Sequence, residues 1–419
     1  MVSKSESLLF FILLQLAIIV LAGRLGGILA RRCRQTAAVG EIIIGILLGP
    51  SLFGLLAPDA FRFVFRSAPP EALQVLSSLG LVLLMFQIGL HFEFKHLGQR
   101  ANRAVVLWVA AACLVTPFGL GFAFGYYSAP ILSPQANQLH SALFIATAFS
   151  ITALPILGRI LIEHRLAHLP LSVIAISAAA INDVIGWLLL AIITAMTVGN
   201  YTGGSFALRL GLIALYAILC VSVVRPLLKR LVRRSHPHDG RLSSNLIGVM
   251  LAVIFVSGMV TYKLGIFAIF GGFMMGVILF DETEFVRAWR ERIGDFVYVF
   301  FLPIFFTYTG LRTTIGSLDS AGAWGWCALT VALATVGKLG AAYLAARLTG
   351  RTHPEAAALG FMMNTRALME LVVLNVGFDL GVISQQMFTM LVIMAIVSTV
   401  ITTPALRRYL PRAGVPVHP

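Results

Sequence analysis

A few ionisable residues in this sequence stand inside long apolar runs, and they are where chemistry would be done. Asp183 lies in Ala180-Ile181-Asn182-Asp183-Val184-Ile185-Gly186-Trp187, and Lys338 lies in Val336-Gly337-Lys338-Leu339-Gly340. Arg366 and Glu370 share Met363-Asn364-Thr365-Arg366-Ala367-Leu368-Met369-Glu370-Leu371, and Glu41 sits further towards the N-terminus. An ionisable group at bilayer depth costs roughly 2.5–3.5 kcal/mol on insertion scales, so its default reading is functional. Each also has a plainer reading. Arg366 and Glu370 are four apart and can neutralise each other on one helix face. Lys338 reads either as a permanent counter-ion or as part of a site, and Glu41 as a packing or interfacial carboxylate. Asp183 is harder to explain away. At i±3 and i±4 it meets Ala179, Ala180, Gly186 and Trp187, none of them a base. A lone carboxylate beside Asn182 is a group for which a proton and a small cation would compete.

The elements that must position these groups follow from composition. Of 419 residues, 59% are hydrophobic and 11% charged, against about 25% charged in a soluble domain. The lipid bilayer is the solvent that fits. A spanning helix needs about 20 apolar residues. Apolar runs at 8–30, 36–56, 75–95, 104–127, 138–162, 170–198, 208–230, 244–262, 265–281, 293–312, 321–346, 354–378 and 384–406 predict an all-α polytopic membrane protein of about 13 transmembrane helices. The first run lacks a cleavage site and reads as a span, not a removed signal.

Lysine and arginine set the orientation. With the N-terminus outside and the C-terminus cytoplasmic, the inner loops collect most of the basic residues. Among them are Arg31, Arg32, Arg34, Lys95, Arg100, Arg159, Arg165, Arg225, Lys229, Arg230, Arg233, Arg234 and Arg241. The outer segments hold only Lys4, Arg62, Arg66, Arg209, Lys263 and Arg312. That is the positive-inside pattern, and it explains the net charge of +14 better than a nucleic-acid partner, because the bases are scattered. The expected location is the cell inner (plasma) membrane. Residues 1–419 read as one membrane transporter domain with a first half at 8–230 and a second at 244–406. Spans seven apart enter from opposite sides, which is the topology of an inverted repeat. The chain stops at Pro419, so no soluble regulatory domain is expected.

Two spans carry matched polar interruptions. The fifth reads Ala146-Thr147-Ala148-Phe149-Ser150-Ile151-Thr152-Ala153-Leu154-Pro155, with hydroxyls just before a mid-span proline, and the twelfth has Asn364-Thr365. Proline removes a backbone donor, and unwound backbone at membrane depth is tolerated only beside protein or a cavity. Paired interruptions in matching spans point to a transporter ion site.

These residues bring a resemblance. Val39-Gly40-Glu41-Ile42-Ile43-Ile44-Gly45-Ile46-Leu47-Leu48-Gly49-Pro50, together with Asn182-Asp183, resembles the monovalent cation:proton antiporter superfamily (Na+/K+:H+ exchangers). Tyr308-Thr309-Gly310-Leu311-Arg312 and Asn364 to Leu371 are similar to the branch of plant CHX-type exchangers and their bacterial relatives. The resemblance implies a homodimer with a dimer domain and a core domain, and two crossing broken helices in the core, here spans five and twelve. It implies that Asp183 binds the transported monovalent cation or a proton. Asn182 would shape that site, with Thr152 and Ser150 of span five near it. Lys338 matches a core lysine that can pair with the site carboxylate, and Lys338, Arg366 and Glu370 are together the candidate charge partners of the site. Ala367 stands where glycine is frequent, which would stiffen the second break.

The expected function is exchange of Na+ or K+ for H+ by alternating access at Asp183. No cofactor is needed, and with one central acid the exchange is expected to be electroneutral. The alternatives are a cation channel or uniporter, which would show a filter-like repeat, and an ion-sensing membrane protein, which only a flux assay separates. Glu163-His164 and His168 do not match the HExxH zinc pattern, so an enzyme is not expected.

Overall fold

The computed structural model describes residues 4–90, 103–164, 166, 169–198, 203–235 and 242–414. Lys95, Arg100, Arg165, His168 and Arg241 of the sequence reading lie outside them. The main helices are α1 (Lys4–Arg32), α2 (Ala37–Leu47), α3 (Pro70–Leu90), α4 (Arg103–Leu132), α5 (Gln138–Ser150), α6 (Leu154–Glu163) and α7 (Pro170–Val198). They continue as α8 (Gly203–Leu219), α9 (Arg225–Arg234), α10 (Ser244–Lys263), α11 (Ala268–Val277), α12 (Thr283–Trp289), α13 (Leu302–Arg312) and α14 (Ala321–Leu348). The chain closes with α15 (His353–Met363), α16 (Leu368–Asp379) and α17 (Gln385–Tyr409).

Polar residues at the run ends start several of these helices. Asn137 Oδ1 accepts the Leu139 and His140 N–H groups at the head of α5. Ser243, Ser320 and Ser384 cap α10, α14 and α17, and Thr352 with Glu355 forms a capping box on α15. Such caps satisfy N–H groups that the helix itself leaves open.

Among the described residues, nine helices are long and apolar enough to cross a membrane. A pair bent by 45°, Thr283–Gly294 with Val297–Ser317, reaches that length and composition only when its two helices are taken together. Several predicted spans fold differently from a single long helix, among them the run at 354–378, which divides into α15 and α16. The run at 36–56 is helical over Ala37–Leu47 and again over the single turn Phe53–Leu56, and that at 265–281 only over Ala268–Val277. The first breaks at Gly49-Pro50, where Gly49 packs directly on the Gly310 carbonyl and leaves no room for a side chain. The run at 138–162 divides into α5 and α6.

The chain forms two compact units. One comprises Met1–Val20, Asp59–Glu93 and Thr194–Tyr308. Within it α11 lies on α3, with Gly272 against the Val82 carbonyl and Gly276 against that of Phe86. Small residues permit such close backbone approach between helices in lipid, where packing rather than hydrophobicity drives association. Ser257 donates to the Gly271 carbonyl at 2.9 Å across α10 and α11. Arg225 and Lys229 of α9 bind Asp281, and Arg233 binds Glu282.

The second unit comprises Leu21–Pro58, Phe94–Ile193 and Thr309–Pro419. Here α5 packs on α4 through Gly121 and Gly125, pressed onto Ala146 and Ala142. Gly310 meets the Gly45 carbonyl, so two motifs far apart in sequence share one contact. This unit carries Asp183, Lys338, Arg366 and Glu370.

Candidate ion site at two helix breaks

The α5–α6 helix opens at residues 151–153, with Ile151 at φ −69°, ψ 143° in extended conformation. The α15–α16 helix opens at residues 364–367. The two breaks touch. The Ala153 N–H donates to the Thr365 carbonyl at 2.9 Å, and the Thr152 hydroxyl donates to the Met363 carbonyl at 3.3 Å. Each break therefore satisfies backbone groups that the other exposes, as membrane depth demands.

A broken helix carries extra ends, with bare carbonyls on one side and bare N–H groups on the other. The last carbonyls of α5 are taken by cations. Arg366 donates to Ala148 at 2.8 Å and Phe149 at 2.9 Å, and also to Ala334 at 3.3 Å. Lys338 donates to Ser150 and, at 3.0 Å, to Cys113. Both side chains are fully buried. A positive charge at a helix C-terminus is stabilised by the helix dipole, and a negative one at an N-terminus. The N-terminus of α6 has that negative partner. The Leu154 N–H, which bonds the Thr152 carbonyl at 3.0 Å, also faces the Asp183 carboxylate without reaching a full hydrogen bond.

Asp183 is 1% exposed. Neither carboxylate oxygen has a hydrogen-bond partner among the described residues, and neither does either polar atom of Asn182. Lys338 acts on Asp183 through its field and not through a hydrogen bond. Arg366 and Glu370 do pair, at 3.2 Å, although Arg366 lies in the break and α16 begins only at Leu368. Ser150 and Thr152 both lie at the crossing. The Ser150 hydroxyl donates to the Ala146 and Leu114 carbonyls at 2.8 and 3.1 Å, so only its lone pairs remain for another ligand.

Glu41 is buried and holds Arg159 through two contacts of 3.3 and 3.4 Å. Arg159 belongs to α6 and not to the inner loop to which the sequence reading gave it. The pair ties α2 to the half-helix whose N-terminus faces Asp183. The far end of α16 is tied as well. Arg312 donates to Asn375 at 2.9 Å and to Asp379, and Asn375 donates to Thr309 at 2.8 Å. Sequence reasoning missed the capping of α5 by Lys338 and Arg366. The only signal for it was that two cations and one break lay inside spans.

Ala367 stands at φ 78°, ψ −114°, a backbone conformation that costs a non-glycine residue about 1–3 kcal/mol. Ala367→Gly is expected to raise thermal stability in detergent by about 1 kcal/mol, since relief of strain outweighs the extra freedom of the unfolded glycine. A lowered melting temperature in that variant would show that the alanine is unstrained.

Comparison with known proteins comes down on one family. The sequence model of the sodium/hydrogen exchanger transmembrane domain matches residues 16–411. The chain is 39% identical over 406 residues to the Na(+)/H(+) antiporter NhaS4 of Synechocystis sp., covering 96% of this chain and 98% of that protein. It is 36% identical to Cation/H(+) antiporter 17 of Arabidopsis thaliana, covering 95% of this chain and 48% of that longer protein. The solved structure of the sodium proton antiporter MjNhaP1 from Methanocaldococcus jannaschii at pH 8 shares the fold, with a TM-score of 0.66, 15% identity and 96% of each chain covered.

Proposed function

The chain belongs to the sodium/hydrogen exchanger family of multi-pass membrane antiporters, and we propose that it exchanges Na+ or K+ for H+ by alternating access at Asp183. The observation that carries this reading is a buried carboxylate without a hydrogen-bond partner among the described residues, facing the N-terminus of a broken helix. An unpaired buried charge is costly and persists where an exchangeable partner neutralises it. A proton and an alkali cation both do so, and only one can occupy the carboxylate at a time. Competition of that kind, with access switching between the two sides, is sufficient for coupled exchange.

The other groups take supporting roles. In this reading Asn182 and the oxygens of Thr152 and Ser150 complete the shell of a cation on Asp183. Lys338, Arg366 and Glu370 hold the charge balance of the crossing. Lys338→Ala is expected to shift the pH dependence of exchange and lower stability while exchange remains measurable, because its bonds go to carbonyls of Ser150 and Cys113. Complete loss of exchange in a folded Lys338→Ala protein would make Lys338 the proton carrier.

The protein works as a homodimer in the cell inner membrane, with the N-terminus outside. The basic loops support that orientation. One acid per site makes the exchange electroneutral, whereas a net charge moved would feel about 2.3 kcal/mol per 100 mV. The test is dequenching of a pH-gradient dye in liposomes on addition of Li+, Na+, K+ or Rb+, with and without an imposed potential. Cation-dependent proton flux insensitive to potential supports the proposal. Cation flux without proton flux would make the protein a uniporter.

A further inference from the structure

We propose that Asn364 is a further ligand of the transported cation, supplied by the second helix break, and that it helps decide which monovalent ion is carried. This rests on the assignment of Asp183 above. Asn364 is fully buried, and neither its amide oxygen nor its amide nitrogen has a partner among the described residues. A side-chain amide offers two donors and an acceptor, and leaving such a group unmatched in the interior costs about 1–3 kcal/mol. Its neighbours in the break are all engaged. The Met363 and Thr365 carbonyls accept from Thr152 and Ala153. The Thr365 hydroxyl faces Thr402 at 3.3 Å, and Arg366 binds three carbonyls and Glu370. Asn364 keeps both polar atoms of its side chain in reserve, whereas Arg366 leaves only its Nε open.

Position links this amide to the carboxylate. Ala153 and Leu154 present consecutive N–H groups, the first bonded to Thr365 and the second facing Asp183. Asn364 is therefore one residue removed from a backbone contact that is itself one residue removed from the carboxylate. An alkali ion stripped of water needs several oxygens in place of its hydration shell, and one carboxylate offers two. A neutral amide oxygen adds to that number and leaves the charge balance of one cation on one acid intact.

The test measures apparent KM for Li+, Na+ and K+ in liposomes holding wild type, Asn364→Ala, Asn364→Asp or Asp183→Asn. Asn364→Ala is expected to raise KM for the preferred ion about tenfold, the loss of one ligand of charged-hydrogen-bond strength. It is also expected to change the ratios among the three ions. Asn364→Asp is isosteric and adds a second negative charge at the crossing, so it is expected to lower KM and make exchange respond to an imposed potential. Unchanged KM values and ratios in either folded variant overturn the proposal. Should Asn364→Ala fail to fold, the isosteric variant decides alone. Exchange that persists in Asp183→Asn instead refutes the underlying assignment, whatever the Asn364 variants do.

Discussion

Asp183→Asn is expected to reduce cation-dependent proton flux to the level of empty liposomes while the protein melts at the same temperature as wild type or higher. The two halves of this expectation have one cause. The carboxylate is buried and has no hydrogen-bond partner among the described residues, so in the folded protein its charge is a liability that a carboxamide of the same shape removes. Neutralising an uncompensated buried charge is neutral or stabilising. The same change removes the only negative charge in α7, and with it the group for which proton and cation compete. A purely structural carboxylate would behave the other way, losing stability when replaced. The measurements are dye dequenching in liposomes and thermal melting in detergent. Full exchange in the variant would end the assignment of Asp183.

Arg366→Leu is expected to destabilise the protein by about 3–5 kcal/mol, the cost of stranding a buried charge. Glu370 would lose its partner at 3.2 Å, and the carbonyls of Ala148, Phe149 and Ala334 would lose the donor that satisfies them. Arg366→Lys is expected to recover only part of the loss, since an ammonium cannot reproduce a planar fork that reaches several oxygens. Removing both charges, as Arg366→Leu with Glu370→Leu, should cost less than Arg366→Leu alone, because no stranded carboxylate remains. Unfolding in denaturant at constant detergent gives these differences. Equal stability of wild type and Arg366→Leu would show that the guanidinium is not what closes the end of α5.

The resemblance read from the sequence named the family to which the chain proves to belong, and much of the architecture was legible beside it. Apolar runs bounded by Gly, Pro and polar residues mark the helices, because in lipid every span must be apolar outside and satisfied within. The breaks were legible as well, since Ser150 to Pro155 and Asn364-Thr365 are polar or helix-averse residues where a span should have none. The run at 36–56 misled as to length, since α2 ends just before the local breaker Gly49-Pro50, while the packing of Gly49 on Gly310, a contact between residues far apart in the chain, was not legible.

Pairings were less legible. Arg366 and Glu370, four apart, announced their contact through local geometry. Arg159 read as a loop base, yet it bonds Glu41 across two helices. Lys338 read either as a counter-ion or as part of a site, and nothing in the sequence showed that its hydrogen bonds go to backbone carbonyls. A single sequence carries no trace of an exposed carbonyl, because every residue has one and only the fold decides which are left open.

Taken alone, the amino-acid order determined that this is a membrane protein of many helices, where those helices run, and which charges could not be idle. Hydrophobicity and local spacing are properties of a stretch of chain, and they need no partner. The tertiary structure decided which break meets which, that two cations cap α5, and that Asp183, Asn182 and Asn364 remain unmatched among the described residues. Those are properties of groups brought together from distant segments, where low dielectric makes each satisfied or unsatisfied polar atom count for far more than it would in water.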